Sequence, residues 1–367
     1  MLTNLAAPRP FMEIITVPHY STSASINKTT IITASCGGNY PNSVPSNTTL
    51  HFNVAAGLTK NQAIGKNFNL KPTSWQAAEK IVVEDIFGGR LLQGGLVFQQ
   101  NFLIRVSELG PDCKASIEAL INILQESAMN HFKSAGLMAK EVGASTPEMS
   151  RRNLIWVVYR MKIVVESYPS WADMIQVETW TCASGRNGMR RDWIVRDYKT
   201  GKTLLRAFCV YLMMNKRTRK LSKFIEEVRE ETKSIFMEIT DPTIDDNEDD
   251  RKLRELDFDT ADHVQSGLLP KRSDMDFNQH VNHVKYIDWI LESVPHWILE
   301  SRKMTSITLE FMKECGMDSV LESLCAFSCR AGCTKSEGIE LEHTIRLQNQ
   351  SHIILRGRTT WMPNHPK

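Results

Sequence analysis

Asp276, Asn278 and His280 place a carboxylate, an amide and an imidazole at alternate positions of Ser273-Asp274-Met275-Asp276-Phe277-Asn278-Gln279-His280-Val281-Asn282-His283-Val284-Lys285-Tyr286. In an extended segment, residues two apart share a side, so the three groups can converge on one substrate atom. After His280, apolar residues at Val281, Val284, Ile287, Leu291 and Val294 recur at helical spacing. The triplet is therefore expected at a helix mouth, where N–H groups favour negative charge and an oxyanion would be stabilised. A plainer alternative stands beside this: Asp276 or Asn278 caps the helix and His280 is an ordinary histidine.

The elements that must position these groups repeat. A helix is expected near Ala115 to Leu137, with Ile117, Leu120, Ile121, Leu124, Ala128, Phe132 and Ala135 on one stripe. Strands follow at Ile155 to Glu166, Met174 to Ser184, Asp192 to Asp197 and Thr203 to Asn215, with turn signals between them. An acidic run, Asp241 to Asp250, has the composition of a solvated connection. The pattern then restarts with a helix near His280 to Leu299 and strands at Ser306 to Lys313, Ser319 to Ser328, Ile339 to Leu347 and Ile353 to Trp361. Two antiparallel sheets, each wrapped around one helix, give an α+β fold.

Composition excludes some classes. A hydrophobic content of 42% suits a packed core, and no run approaches about 18 consecutive apolar residues, so no spanning helix is expected. A net charge of +2 does not suggest a nucleic-acid binder. The eight cysteines form no disulfide framework and no paired C-x-x-C; Cys325, Cys329 and Cys333 are expected as buried thiols, not zinc ligands. There is no G-x-x-x-x-G-K-[ST], G-x-G-x-x-G or H-E-x-x-H, so neither cofactor nor metal is expected. Residues 1–60 are rich in Ser, Thr and Asn with Glu13 as their one acid, which is transit-peptide chemistry.

The catalytic-looking run, together with Leu309-Glu310-Phe311-Met312-Lys313-Glu314-Cys315-Gly316, resembles the plant plastidial acyl-acyl-carrier-protein thioesterases of the B type, which prefer saturated chains. Further strings carry the resemblance across roughly residues 90 to 362: Ser145-Thr146-Pro147-Glu148-Met149, Arg152-Asn153-Leu154-Ile155-Trp156, Asn187-Gly188-Met189-Arg190-Arg191-Asp192-Trp193 and Met213-Met214-Asn215-Lys216. It implies a tandem double hotdog: a 1–60 leader, an acyl-binding hotdog at 61–240, a linker at 241–255 and a catalytic hotdog at 256–367. It also implies hydrolysis of acyl-carrier-protein thioesters in the plastid stroma, with Asp276, Asn278, His280 and Glu314 as catalytic residues. In that assignment Asp276 attacks or activates water, Asn278 and helix-start N–H groups hold the oxygen, His280 moves protons and Glu314 orients His280 or the water. An older view makes Cys315, His280 and Asn278 a papain-like triad. Cys315 adjoins Glu314 on an expected strand, so only one of them faces the site; Glu314 is the one favoured, with Cys315 a structural thiol.

The implied partner is acyl carrier protein, which is small and acidic. Arg186, Arg190 and Arg191, or Lys216-Arg217-Thr218-Arg219-Lys220, would receive it, although a solvated face is the default for such runs. A homodimer is a further expectation. The chain departs from the family pattern at Gln99 (usually Arg), His283 (usually Asn) and Asp288 (usually Gly), and a stretch ahead of Ile86-Phe87-Gly88-Gly89 is shortened. Alternatives are a non-catalytic acyl-binding or carrier-protein-binding double hotdog, an acyl-CoA thioesterase, or a dehydratase acting on 3-hydroxyacyl thioesters.

Overall fold

The computed structural model describes residues 88–139, 143–238, 242–245, 251–328, 338–350 and 352–364. The leader, the shortened stretch before Gly88, most of the acidic run, Cys329 and Cys333 lie outside the described residues. The described residues all belong to one compact unit, 77–367.

The first half contains β1 (Gly89–Leu92), β2 (Val97–Leu103), α1 (Ile117–Ser134), α2 (Pro147–Arg151), β3 (Leu154–Val165), β4 (Met174–Ser184), β5 (Gly188–Asp197), β6 (Thr203–Asn215), α3 (Glu226–Thr232) and β7 (Phe236–Met237). The second contains β8 (His263–Leu268), α4 (Lys285–Glu292), α5 (His296–Ser301), β9 (Arg302–Phe311), β10 (Leu321–Phe327), β11 (Ile339–Leu347) and β12 (Ile353–Pro363). The strands form one sheet in the order β1-β2-β4-β5-β6-β3-β9-β12-β11-β10-β8, with β7 pairing β4 in parallel. The order from β3 outward (β6, β5, β4, β2) is matched from β9 outward by β12, β11, β10 and β8. This is the expected duplication, joined where β3 and β9 run antiparallel, Arg160 opposite Glu310 and Ile163 opposite Ile307.

α1 starts where Ser116 Oγ accepts the Ala119 N–H at 3.1 Å, and its last turn carries Lys133, a cation suited to the helix C-terminus. Its buried stripe, Leu120, Ile121, Leu124 and Ala128, shares one core with Ile287 and Ile290 of α4 and with Ile163, Trp193 and Leu205 of the sheet. Burying each such side chain contributes about 1.5–3 kcal/mol. Among the described residues, no helix is long and apolar enough to cross a membrane.

The second helix is shorter than its periodicity predicted. It begins at Lys285 and is interrupted at 293–295 before α5. Pro295 supplies no N–H and disfavours helical geometry in Val294, which accounts for the break. The late start has its cause in the preceding turn.

Candidate active site

Residues 276–280 form a closed turn, not the extended segment expected. Met275 and Val281 pair across it, the Asp276 N–H donates to His280 O at 2.8 Å, and the Gln279 N–H donates to Asp276 O at 3.1 Å. Asp276 Oδ1 accepts the N–H groups of Asn278 (2.8 Å) and His280 (3.2 Å), as Asp commonly does in turns. Gln279 sits at φ +65°, a left-handed conformation that a helix cannot contain. The turn therefore delays the helix by five residues, and the N–H groups near the triplet serve Asp276 instead of waiting for an oxyanion. Asp276 caps its own turn, not the helix. Its Oδ2 has no hydrogen-bond partner among the described residues, and neither has the Asn278 side-chain amide.

β9 ends at Phe311, so Glu314 and Cys315 lie in the following loop and strand alternation does not govern them. The loop still separates the two. Glu314 lines the same cavity as the turn, with its Oε2 3.5 Å from His280 Nε2. Cys315 is buried behind it, its thiol 3.2 Å from the Tyr286 hydroxyl, and burial pushes that thiol above the ordinary range. Burial, followed by the Arg219 guanidinium, holds His280 below the usual imidazole range, while Asp276 pulls the other way. His283, half-buried in the cavity wall, is pushed by burial down to about 4.

The cavity measures about 790 Å³. Asp276, Asn278, His280, His283 and Glu314 line one part of it. Ala128, Met129 and Phe132 of α1, Ile155 to Val158 of β3, Met189 of β5 and Tyr211 and Met214 of β6 line the rest. The second half thus presents the acid, amide and imidazole with Phe277, Phe311 and Met312 beside them, and the first half supplies apolar lining from its helix and sheet together with Arg191 and Arg219.

Residues 95–232 match the acyl-ACP thioesterase N-terminal domain, and residues 258–363 match the acyl-ACP thioesterase C-terminal domain. The chain belongs to the acyl-ACP thioesterase family. It is 53% identical over 295 residues to the chloroplastic palmitoyl-acyl carrier protein thioesterase of Arabidopsis thaliana, covering 80% of this chain and 70% of that protein. It is 50% identical over 285 residues to the chloroplastic acyl-[acyl-carrier-protein] hydrolase FATB2 of Cuphea viscosissima, covering 77% and 67%. The solved 12:0-ACP thioesterase of Umbellularia californica superimposes with a TM-score of 0.68 at 45% identity, over 73% of this chain and 95% of that one. The resemblance carried by the motifs is thereby established, and the fold is the double hotdog of this family.

One expectation about this family member fails. Arg190 and Arg191 are not part of a surface patch with Arg186: both are buried. Arg190 pairs with Asp192 at 2.8 Å. Arg191 Nη1 meets His131 Nδ1 and Thr179 Oγ1, each at 3.1 Å. His131 Nε2 lies 2.9 Å from Gly95 O, and a carbonyl only accepts, so Nε2 carries the hydrogen and Nδ1 takes the arginine's. Burial and then Arg191 drive His131 down to about 3. Alternation along β5 would have flagged one of two adjacent arginines as inward, but not both, because the Asp192 partner of Arg190 was not legible as such.

The run Lys216 to Lys220 is on the surface except for Arg219, which lines the cavity and reaches Glu314. Sequence reasoning placed Arg219 with its solvated neighbours and missed this role. Its position in a basic run gave no signal that one member turns inward.

The turn itself occurs twice. In the first half, Leu109 pairs with Ala115, the Gly110 N–H donates to Lys114 O at 2.8 Å, the Cys113 N–H donates to Gly110 O at 3.0 Å, and Cys113 has φ +60°. Gly110, Asp112 and Lys114 stand there where the second copy has Asp276, Asn278 and His280. The family's duplication thus keeps the backbone of the turn in both halves and places the acid, amide and imidazole in one.

Proposed function

We propose that Asp276, Asn278, His280 and Glu314 are the residues with which this chain hydrolyses fatty acyl-acyl carrier protein thioesters. The observation that carries the assignment is their convergence on a cavity whose remaining lining is largely apolar. An acyl chain fits the apolar part, leaving the thioester beside the polar groups. Asp276 Oδ2 takes a proton from a water as that water attacks the thioester carbon. Asn278 Nδ2 donates to the carbonyl oxygen as it becomes anionic. The carbon–sulfur bond then breaks, and neutral His280, steadied by Glu314, accepts the proton held by Asp276 and passes it to the departing sulfur. The products are a free fatty acid and a carrier thiol.

Cys315 is a structural thiol in this reading. Its raised pKa and its place outside the cavity disfavour a thiolate nucleophile. Release of fatty acid from saturated and unsaturated acyl-carrier-protein thioesters tests the assignment. Asp276→Asn is expected to lower kcat by about 10²-fold or more, the usual worth of a positioned base. Cys315→Ala is expected to stay within about threefold, since no step is routed through it. The opposite result would move the nucleophile to Cys315, and a folded parent that releases nothing would make this an acyl-binding protein.

The carrier protein, in this reading, approaches the exposed Lys216, Arg217 and Lys220 around the inward-turned Arg219. Those cations steer an acidic partner, so KM should rise severalfold from low to moderate salt. A salt-independent KM would remove them from the docking surface. The relatives are named chloroplastic, and residues 1–60 have the composition of a transit peptide, so the plastid is the proposed compartment. The two halves of the catalytic unit are proposed at 61–240 and 256–367. A homodimer finds its best support in β8, whose outer edge no described strand covers. Sedimentation velocity checks it, a monomer mass removing it.

A further inference from the structure

The catalytic groups of the second half are met by a cation from the first. Arg219 follows β6 in the turn 215–220, and its guanidinium Nη2 is in ion contact with Glu314 Oε2, the oxygen that also faces His280 Nε2 at 3.5 Å. A guanidinium and an imidazole from different halves therefore face one carboxylate oxygen. We propose that Arg219 is a positioning residue that fixes Glu314 between the halves and keeps His280 in its neutral, proton-accepting form.

The backbone beneath Arg219 is built for this placement. Arg219 has φ +56°, a left-handed conformation that costs a non-glycine residue on the order of 1–2 kcal/mol. Its N–H donates to Asn215 O at 2.9 Å. Asn215 Oδ1 accepts the N–H groups of Arg217 (3.1 Å) and Thr218 (2.9 Å), and the Lys216 N–H donates to Asn153 O at 2.7 Å. The turn is thus pinned to the entry of β3. The surrounding residues of the run point outward, and Arg219 alone among them lines the cavity. A basic run whose one inward member sits at a strained position is what an arginine aimed at a site requires.

The charge arrangement around His280 sets the direction of the effect. Asp276 and Glu314 face it as anions, and Arg219 and Lys216 as cations, with His283 and Cys315 close by and uncharged. Removing Arg219 deletes a nearby positive charge and leaves Glu314 to His280 alone. Both changes favour the imidazolium. Because the neutral ring is the working form, the acidic limb of the pH–rate profile must then move to higher pH.

The inference rests on His280 and Glu314 being catalytic, so the test includes them. With the full chain and an acyl-carrier-protein substrate, kcat and KM are measured from pH 5 to 9 for the parent, Arg219→Gln, Arg219→Lys, Glu314→Gln, His280→Gln and the Arg219→Gln/Glu314→Gln double variant. Expected for Arg219→Gln are a kcat about tenfold lower at pH 7, an acidic limb displaced upward by half a pH unit or more, and a KM within about twofold. Arg219→Lys, which keeps a charge but not the planar fork, should recover part of the rate. In the Glu314→Gln background, Arg219→Gln should cost less than twofold, because the two act as a unit. An unshifted limb in a folded Arg219→Gln protein, or full additivity with Glu314→Gln, overturns the proposal while leaving the site intact. If His280→Gln and Glu314→Gln retain full activity, the site assignment itself has failed. Circular dichroism and melting temperature establish that each variant is folded.

Discussion

An imidazole held below its usual range beside two carboxylates is unusual, since carboxylates pull the other way, and its cause is specific: burial and a neighbouring arginine outweigh Asp276. If the neutral ring is the working form, kcat/KM of the parent must fall on acidification with a midpoint below the ordinary histidine value of about 6.5. A midpoint above that value would contradict the neutral-base role. Cys315 offers a second test of which side chain does chemistry. Tyr286→Phe removes the phenol that lies 3.2 Å from its thiol, costing about 1 kcal/mol of stability for one hydrogen bond. Rates should stay within threefold of the parent; a tenfold change would tie the Tyr286–Cys315 pair to the reaction. Asp276, Asn278 and His280 were legible as a group because three functional residue types alternated within five positions. Glu314 came from the resemblance, and Arg219 was not legible at all, because an inward arginine in a basic run differs from its neighbours only in backbone conformation. At Gln99 the departure from the family has a physical account: its Oε1 accepts from Arg90 Nε at 2.7 Å and its Nε2 donates to Glu178 at 2.6 Å, so the neutral amide links a cation to an anion.

Strands were more legible than turns. Met174–Ser184, Thr203–Asn215 and Ile339–Leu347 have the bounds that alternation and turn residues predicted. β8 went unread because its residues are nearly all exposed at the sheet edge and carry no inward period. The catalytic turn was misread as extended because its left-handed position holds Gln279, whereas sequence signals for such positions rest on Gly and Asn. The channel is also an element-scale feature. Met189 sits on β5, separated from β9 by β6 and β3, so it lies roughly 14 Å across the sheet from the strand leading to Glu314, at about 4.8 Å per strand. It packs with Phe132 and Ile235. Met189→Ala should lengthen the channel and shift product release toward longer acyl chains, and Ala128→Phe should shorten it and shift release the other way. Each methylene gained or lost against the wall is worth about 0.8 kcal/mol, or roughly fourfold in relative kcat/KM, so the product distribution read by gas chromatography should move visibly. An unchanged distribution in both folded variants would place the selectivity elsewhere.

The two halves share one sheet and one continuous core, so they are expected to unfold together, and buried histidines in both halves make that transition sensitive to acid. His131 on α1 and His343 on β11 are each pushed by burial to about 3, and His283 beside the catalytic turn to about 4. All three are depressed below the unfolded value of about 6.5, so below that pH the unfolded chain binds protons that the folded chain refuses. Stability is therefore fully present above pH 6.5 and is lost as pH falls toward the folded values. Between pH 6.5 and 5, above the carboxylate range, each histidine should remove on the order of 1.5 kcal/mol, which is large against a typical total of about 5–15 kcal/mol. Urea unfolding at several pH values in that window measures the slope. His343 is a suitable probe because it does not line the cavity: its Nε2 lies 2.8 Å from Thr359 Oγ1, and its Nδ1 has no hydrogen-bond partner among the described residues. His343→Gln keeps a group beside Thr359 but cannot titrate, so its stability should vary less with pH by about one proton's worth, roughly 1.4 kcal/mol per pH unit at the steepest point, with the activity profile unchanged. A slope identical to the parent's would show that His343 is protonated in the folded state and that acid sensitivity arises in the first half or at the site.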